Sequence, residues 1–223
     1  GSLAESTRLP TAQELFSHGP HGGTGTYEVG NTALHAERST GIDLSVRRRG
    51  TRVSGSLSVF THQFRGYIYQ EEIDARLIPR ANNPEDLRVM QYVARDAEFS
   101  GAEAELTFHL KRDSHRRLDL DLGADTVRAS AKGTDENLPR IPARRYTSRL
   151  TYEHGDALGT LEVRHTAAQN RTAHDERTTP GFTLVNASAT WRWHAGGRTW
   201  ELFLRGTNLT NAVTGEADAL VTA

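Results

Sequence analysis

The chain has 223 residues, 36% of them hydrophobic and 25% charged, with a formal net charge of −1; this suits one large all-β domain or two small folded ones and argues against a nucleic-acid footprint, which needs clustered positive charge. Zero cysteines exclude disulfides and thiolate metal sites. No apolar run approaches the ~18 residues of a membrane helix, a test that barrel strands escape because their apolarity is hidden in alternation.

In chain order, residues 1–8 read as a strand end without a signal peptide, so the N-terminus is expected to be cut. Residues 9–37 form a long loop rich in Gly, Pro, Thr and His. Then Ile42, Leu44 and Val46 alternate with Asp43, Ser45 and Arg47, and a polar break at residues 48–51 reads as a turn. Val53, Leu57 and Val59 alternate with Ser54, Ser56 and Ser58 in a strand that runs on through Phe64, Tyr67 and Tyr69. A second long loop covers residues 72–87, with Pro79 and Pro84.

The return strand, residues 88–110, holds the clearest pattern in the chain. Ala102, Ala104, Leu106, Phe108 and Leu110 fall on one face, with Gly101, Glu103, Glu105, Thr107 and His109 on the other. A period of two marks a strand with one apolar and one polar face. Two carboxylates and an imidazole do not belong unpaired in a dry core, so the polar face meets water and the apolar face meets lipid or a core. After a turn at residues 111–115, Leu118, Leu120, Leu122 and Ala124 oppose Asp119, Asp121, Gly123 and Asp125. A third loop covers residues 131–143. Strand 144–154 turns at Gly155 and Asp156 into strand 160–171, and a fourth loop, residues 172–181, carries His174, Asp175 and Glu176. The last pair is residues 182–194 and 199–207, joined by Ala195, Gly196 and Gly197.

About nine strands result, and short turns alternate strictly with long loops. An outer-membrane barrel keeps that order because one end of its hairpins faces the periplasm and the other the exterior. Tyr67, Tyr69, Trp191, Trp193 and Trp200 lie towards strand ends, where interfacial girdles are expected. The predicted fold is therefore an all-β, antiparallel up-and-down transmembrane β-barrel. A soluble β-rich binding domain is the alternative.

Several motifs carry a resemblance. Arg8-Leu-Pro-Thr-Ala-Gln-Glu-Leu-Phe16, residues 25–31, residues 37–39, residues 99–105, Leu138-Pro-Arg-Ile-Pro-Ala143 and Gly206-Thr-Asn-Leu-Thr-Asn211 occur in the order found in TonB-dependent outer-membrane receptors. Gly19-Pro-His21 followed by Thr26-Tyr-Glu-Val-Gly-Asn31 is most similar to the zinc-uptake receptors of that family. The resemblance implies a 22-stranded barrel plugged by an N-terminal domain. Residues 1–223 would be a partial barrel covering about strands 13 to 21, without the plug, the TonB box and the closing strand. It further implies localisation in the bacterial outer membrane, contact with its lipid, and a TonB-ExbB-ExbD complex acting through the plug. The implied function is active import of a scarce nutrient, most of all zinc, with no enzymatic chemistry and no resident cofactor; haem or a ferric siderophore is the alternative cargo.

For metal contact, the first loop offers His18, His21 and His35 near Glu14, Glu28 and Glu37. Imidazole and carboxylate both suit zinc, but the spacing matches no closed structural site and is equally that of solvated loop histidines. The resemblance singles out His21 as a barrel histidine that completes a zinc site with plug residues. His174 in the fourth loop is a further candidate. The acidic pairs Glu103/Glu105 and Asp119/Asp121 are expected to face arginines across a lumen wall rather than act as catalytic acids. No nucleophile elbow, phosphate loop or Ser/His/Asp grouping supports a hydrolase.

Overall fold

A computed structural model describes residues 1–134, 136–174 and 176–214 of the chain. Nine strands form one antiparallel meander: β1 (Ser2–Arg8), β4 (Glu37–Arg48), β5 (Val53–Ile73), β6 (Arg88–Arg112), β7 (Arg116–Ala131), β8 (Arg145–His154), β9 (Ala157–Thr166), β10 (Phe182–Ala195) and β11 (Arg198–Gly206). The connection between β1 and β4 contains a short helix α1 (Ala12–Phe16) and two further strands, β2 (His18–His21) and β3 (Thr26–Val29). The sheet is curved but not closed on itself. Short turns at residues 49–52, 113–115, 155–156 and 196–197 alternate with connections at residues 9–36, 74–87, 132–144 and 167–181, the order predicted from the sequence.

The first connection is not the featureless loop expected. Thr11 caps α1 by accepting from the Glu14 N–H at 3.2 Å, while the Glu14 carboxylate accepts from the Thr11 N–H at 2.7 Å, a reciprocal capping box. β2 and β3 form a hairpin, and β3 then pairs parallel with the top of β6, Thr26 against Arg88 through Val29 against Gln91. Parallel pairing of segments so far apart in sequence ties this loop to a hairpin two strands away. Strand β9 also ends earlier than the predicted residue 171. Past Thr166 the alternation is lost, and Gln169 turns inward, donating to the Ile141 carbonyl at 2.6 Å.

The two faces of the sheet behave as the alternation requires. The polar face, on the concave side, is cross-linked strand to strand. Asp119 accepts from His109 at 2.9 Å and Arg112 at 3.1 Å; Glu162 accepts from Arg149 at 3.1 Å and Asn186 at 3.0 Å; Asp125 accepts from Arg145 at 3.1 Å. The expected arginine partners are therefore present for Asp119, whereas Asp121 takes its bond from the Thr107 hydroxyl at 2.6 Å. The opposite face leaves large apolar side chains uncovered, among them Leu44, Leu57, Leu106 and Leu202.

Of the predicted girdle, Trp191, Trp193 and Trp200 stand exposed on this apolar face beside the β10–β11 turn, with Trp193 and Trp200 paired across the strands and stacked at 6.4 Å. Tyr67 and Tyr69 do not join them. Counting by twos from Val53 places both outward, but the register slips between Phe64 and Tyr67, where Gly66 adopts φ +67°. A bulge of this kind inserts an unpaired residue and turns the remainder of the strand to the other face. Tyr67 and Tyr69 consequently pack inward with Phe64 and Phe99 against Ala97, Ala129, Ala131 and Leu138.

Candidate functional site

Among the described residues the buried apolar side chains lie at the long-connection end, and there the connections fold over the polar face. Residues 132–144 continue alongside β7, with Leu138 N–H bonding the Ala129 carbonyl at 3.1 Å, which lowers the Leu138 side chain onto the aromatic cluster. Arg8 clamps the first connection at its root, donating to Glu14 at 2.9 Å and to Glu37 at 3.0 Å, and Glu37 also accepts from the Ile68 N–H at 3.0 Å. The hydrogen bond to Glu37, ahead of an opposing burial effect, raises the Arg8 pKa further, so the clamp stays charged at any working pH.

Between these elements lies an open cavity of ≈ 850 Å³, whose walls include Tyr67, Met90, Tyr92, Phe99, Arg140 and Arg177. Aromatic walls with a few cationic groups suit a partly apolar, anionic guest. A smaller cavity of ≈ 520 Å³ shares Tyr69 and Gln70 with it and is bordered by Glu71, Arg95 and His174. The Tyr69 hydroxyl donates to Glu71 at 2.6 Å, and burial followed by that bond pushes its pKa up. Tyr92 is likewise pushed up, to about 12, by burial and then by the charge of Glu28. Both phenols therefore remain protonated donors at neutral pH.

Glu28 is the notable carboxylate here. It is 5% exposed, and accepts from Gln13 at 2.9 Å and from the Tyr92 hydroxyl at 3.4 Å. The His21 Nδ1 stands 3.9 Å from its other oxygen and 3.2 Å from the Thr24 hydroxyl. The β2–β3 register puts His21, Thr26 and Glu28 on one face of the hairpin and His18, Pro20 and Tyr27 on the other. His18 accordingly meets Tyr27 edge-on at 5.5 Å rather than joining His21. His35 is exposed beyond the hairpin, and His174 is exposed in the fourth connection beside Asp175, which lies outside the described residues. Among the described residues no three His, Asp or Glu side chains converge as a ready metal cage. In the sequence Glu28 stands out only as a neighbour of the histidines; its burial comes from β3 pairing with β6, a long-range contact without a local signal.

The profile of the family described as "TonB dependent receptor-like, beta-barrel" matches residues 1–209. Among solved structures, the copper transporter OprC superposes with a TM-score of 0.75 at 22% identity, covering 96% of this chain and 31% of that one. The siderophore receptor PirA of Pseudomonas aeruginosa gives 0.61 at 17% identity over 95% and 36%. The ferric enterobactin receptor PfeA of the same organism, as a G324V mutant, gives 0.57 at 15% identity over 93% and 32%. These likenesses establish the fold, and the chain spans about a third of the length of each of these structures. The curved sheet with its uncovered apolar exterior is thus part of a bacterial outer-membrane barrel rather than a soluble β-domain, and the chain belongs to the TonB-dependent receptor β-barrel family.

Proposed function

We propose that this chain forms part of the barrel of an active-transport receptor that captures zinc at the outer surface and passes it inward when TonB, with ExbB and ExbD, acts on a plug domain. The observation that carries the zinc reading is the His21–Glu28 pair. An exposed imidazole faces a buried carboxylate on one side of a braced hairpin, with a separation of 3.9 Å that a metal ion can bridge. Two protein ligands leave coordination positions for plug side chains or water, as a site that must release its cargo requires. His18, on the opposite face, has no place in this set, and His35 and His174 would act as outlying capture sites. Covalent catalysis has no role in this reading.

A bulkier cargo, haem or a ferric siderophore, is favoured by one feature, the aromatic and arginine-lined cavity of ≈ 850 Å³. Uptake of labelled zinc, copper and a ferric siderophore by cells carrying the full-length receptor separates these readings. Zinc uptake that requires TonB and falls at least tenfold in His21→Ala and in Glu28→Gln is the expected result. Copper uptake with the same mutational response would keep the site and change the metal, and siderophore uptake insensitive to both substitutions would remove the metal site altogether.

A further inference from the structure

Below the β2–β3 hairpin the polar face of the sheet carries two further imidazole–carboxylate pairs, and they are built differently. His109 has both ring nitrogens engaged, Nδ1 at 2.9 Å from Asp119 and Nε2 at 3.0 Å from the Ser54 hydroxyl, and the second Asp119 oxygen accepts from Arg112 at 3.1 Å. That pair is closed to anything else. His62 Nε2 instead lies 3.3 Å from Asp43 Oδ1, long for an N–H···O bond. The other Asp43 oxygen accepts from the Ser2 hydroxyl at 3.2 Å. Asp119, Asp125 and Glu162 are each neutralised by arginine, whereas among the described residues Asp43 has no arginine or lysine partner. Both side chains are open to the lumen, His62 35% and Asp43 48% exposed.

The wall around them is shaped for this contact. Gly41 lies directly opposite His62, and a Cβ there would come within 2.6 Å of the His62 Cδ2. The missing side chain lets the imidazole lie across β4 towards Asp43, and Phe60 braces the ring at 5.3 Å between centroids. Two ligands held ~2.0–2.2 Å from an ion at the tetrahedral angle are roughly 3.3–3.6 Å apart. His62 and Asp43 already stand at that spacing, whereas His21 and Glu28, 3.9 Å apart, must close slightly.

The pair also lies on the way in. Phe99 pairs with His62 and lines the large cavity, and Leu44, next to Asp43, is exposed on the lipid side. Along β6, Met90 stands level with Glu28 and Phe99 level with His62. At the ~3.3 Å rise of a strand those two levels are roughly 30 Å apart.

We propose that His62 and Asp43 form a second, weaker divalent-cation site on the lumen wall, a staging point for zinc between the capture hairpin and the periplasm. The staging role rests on the zinc reading above; the site itself rests on geometry. One imidazole and one carboxylate leave coordination positions to water or plug side chains, so the ion is held loosely enough to move on.

The test titrates zinc into the purified full-length receptor carrying His21→Ala and Glu28→Gln, which silence the capture pair. A weak zinc site should remain, and adding His62→Ala or Asp43→Asn should weaken it roughly a hundredfold, the upper end of what a metal site loses with one supporting group. Gly41→Ala keeps both ligands but displaces the ring, and should cost roughly tenfold, as disturbing a ligand's orientation does. A merely structural hydrogen bond would leave zinc affinity unmoved by all three. On cells, His62→Ala in the otherwise wild-type receptor should cut TonB-dependent zinc uptake, while zinc held at the surface of cells lacking TonB stays at the wild-type level. No residual site, or a residual affinity indifferent to these substitutions, would overturn the site whatever the receptor carries. Lost binding with undiminished uptake would overturn the staging role. Absence of zinc uptake by the wild type would remove the zinc reading and the staging role together, and the titration would still decide whether the site exists. If His62→Ala lacks the heat-dependent gel shift of an assembled barrel, the isosteric Asp43→Asn should carry the same loss of affinity, and its absence would equally sink the idea.

Discussion

The lower and upper halves of the same strands are built for different solvents. Near the short turns β6 turns Ala102, Ala104, Leu106, Phe108 and Leu110 outward and keeps its polar side chains within, and β7 does the same from Leu118 to Ala124. Higher up, the apolar positions change side: Ala97 and Phe99 on β6, and Val127, Ala129 and Ala131 on β7, point inward. Among the described residues the lower half buries no apolar core, since lipid covers its apolar surface and the polar lattice around Asp119 and Glu162 lines its interior. The upper half hides its apolar groups as a water-soluble domain does. The parity switch marks where hydrocarbon ends, and it shows that one strand can be read as two segments with opposite facing.

The comparison can be broken most sharply from above. Ala97→Asp places a carboxylate at a position with no solvent exposure, at a cost of several kcal/mol unless the site opens. Proteolysis on whole cells should then cut residues 132–144 rapidly, while the barrel still shows its heat-dependent gel shift. If the loops stay protected, the upper half does not depend on that core. From below, Leu106→Arg puts a charge in the lipid-facing band, costing roughly 2–4 kcal/mol near the midplane. Here assembly into the membrane should fall while loop protection in the assembled fraction is unchanged; a wild-type yield would contradict the outward assignment.

The smallest effect is a titration. Tyr92 ionises at about 12 in the folded protein and near ~10 in an unfolded chain. Because the folded value is the higher one, its contribution is complete below pH ~10 and is lost as pH rises through 12. Phenolate absorbance should show Tyr67, Tyr69 and Tyr92 titrating later than the other tyrosines, and Tyr92→Phe should remove one phenolate's share of that late absorbance. Late absorbance undiminished in Tyr92→Phe would mean that Tyr92 ionises with the ordinary tyrosines and the Glu28–Tyr92 contact is not formed.

Most of the architecture is legible in the sequence because alternation is local. Leu118 to Asp125 declares two faces without reference to any other strand, and turns such as Ala195-Gly-Gly197 announce themselves by composition. The illegible part depends on pairing between distant segments. The parallel contact of β3 with β6 gives no local pattern, so residues 9–37 read as open loop and Glu28 carries no weight. The register of the β2–β3 hairpin, which sets His18 and His21 on opposite faces, is likewise not given by their separation of three residues. Simple counting misplaces the tyrosines at 67 and 69, since a single glycine upstream alters the count.

That glycine has a consequence of its own. The bulge at Gly66 works like a spatial frameshift: one unpaired residue resets which side of the wall everything above it addresses. Deleting Arg65 or Gly66 would leave composition almost untouched, yet would present Tyr67 and Tyr69 to the exterior and empty the aromatic floor of the cavity. Insertions and deletions near this point should therefore be rarer among functional receptors than substitutions. Length at this position is as much a specification as residue identity.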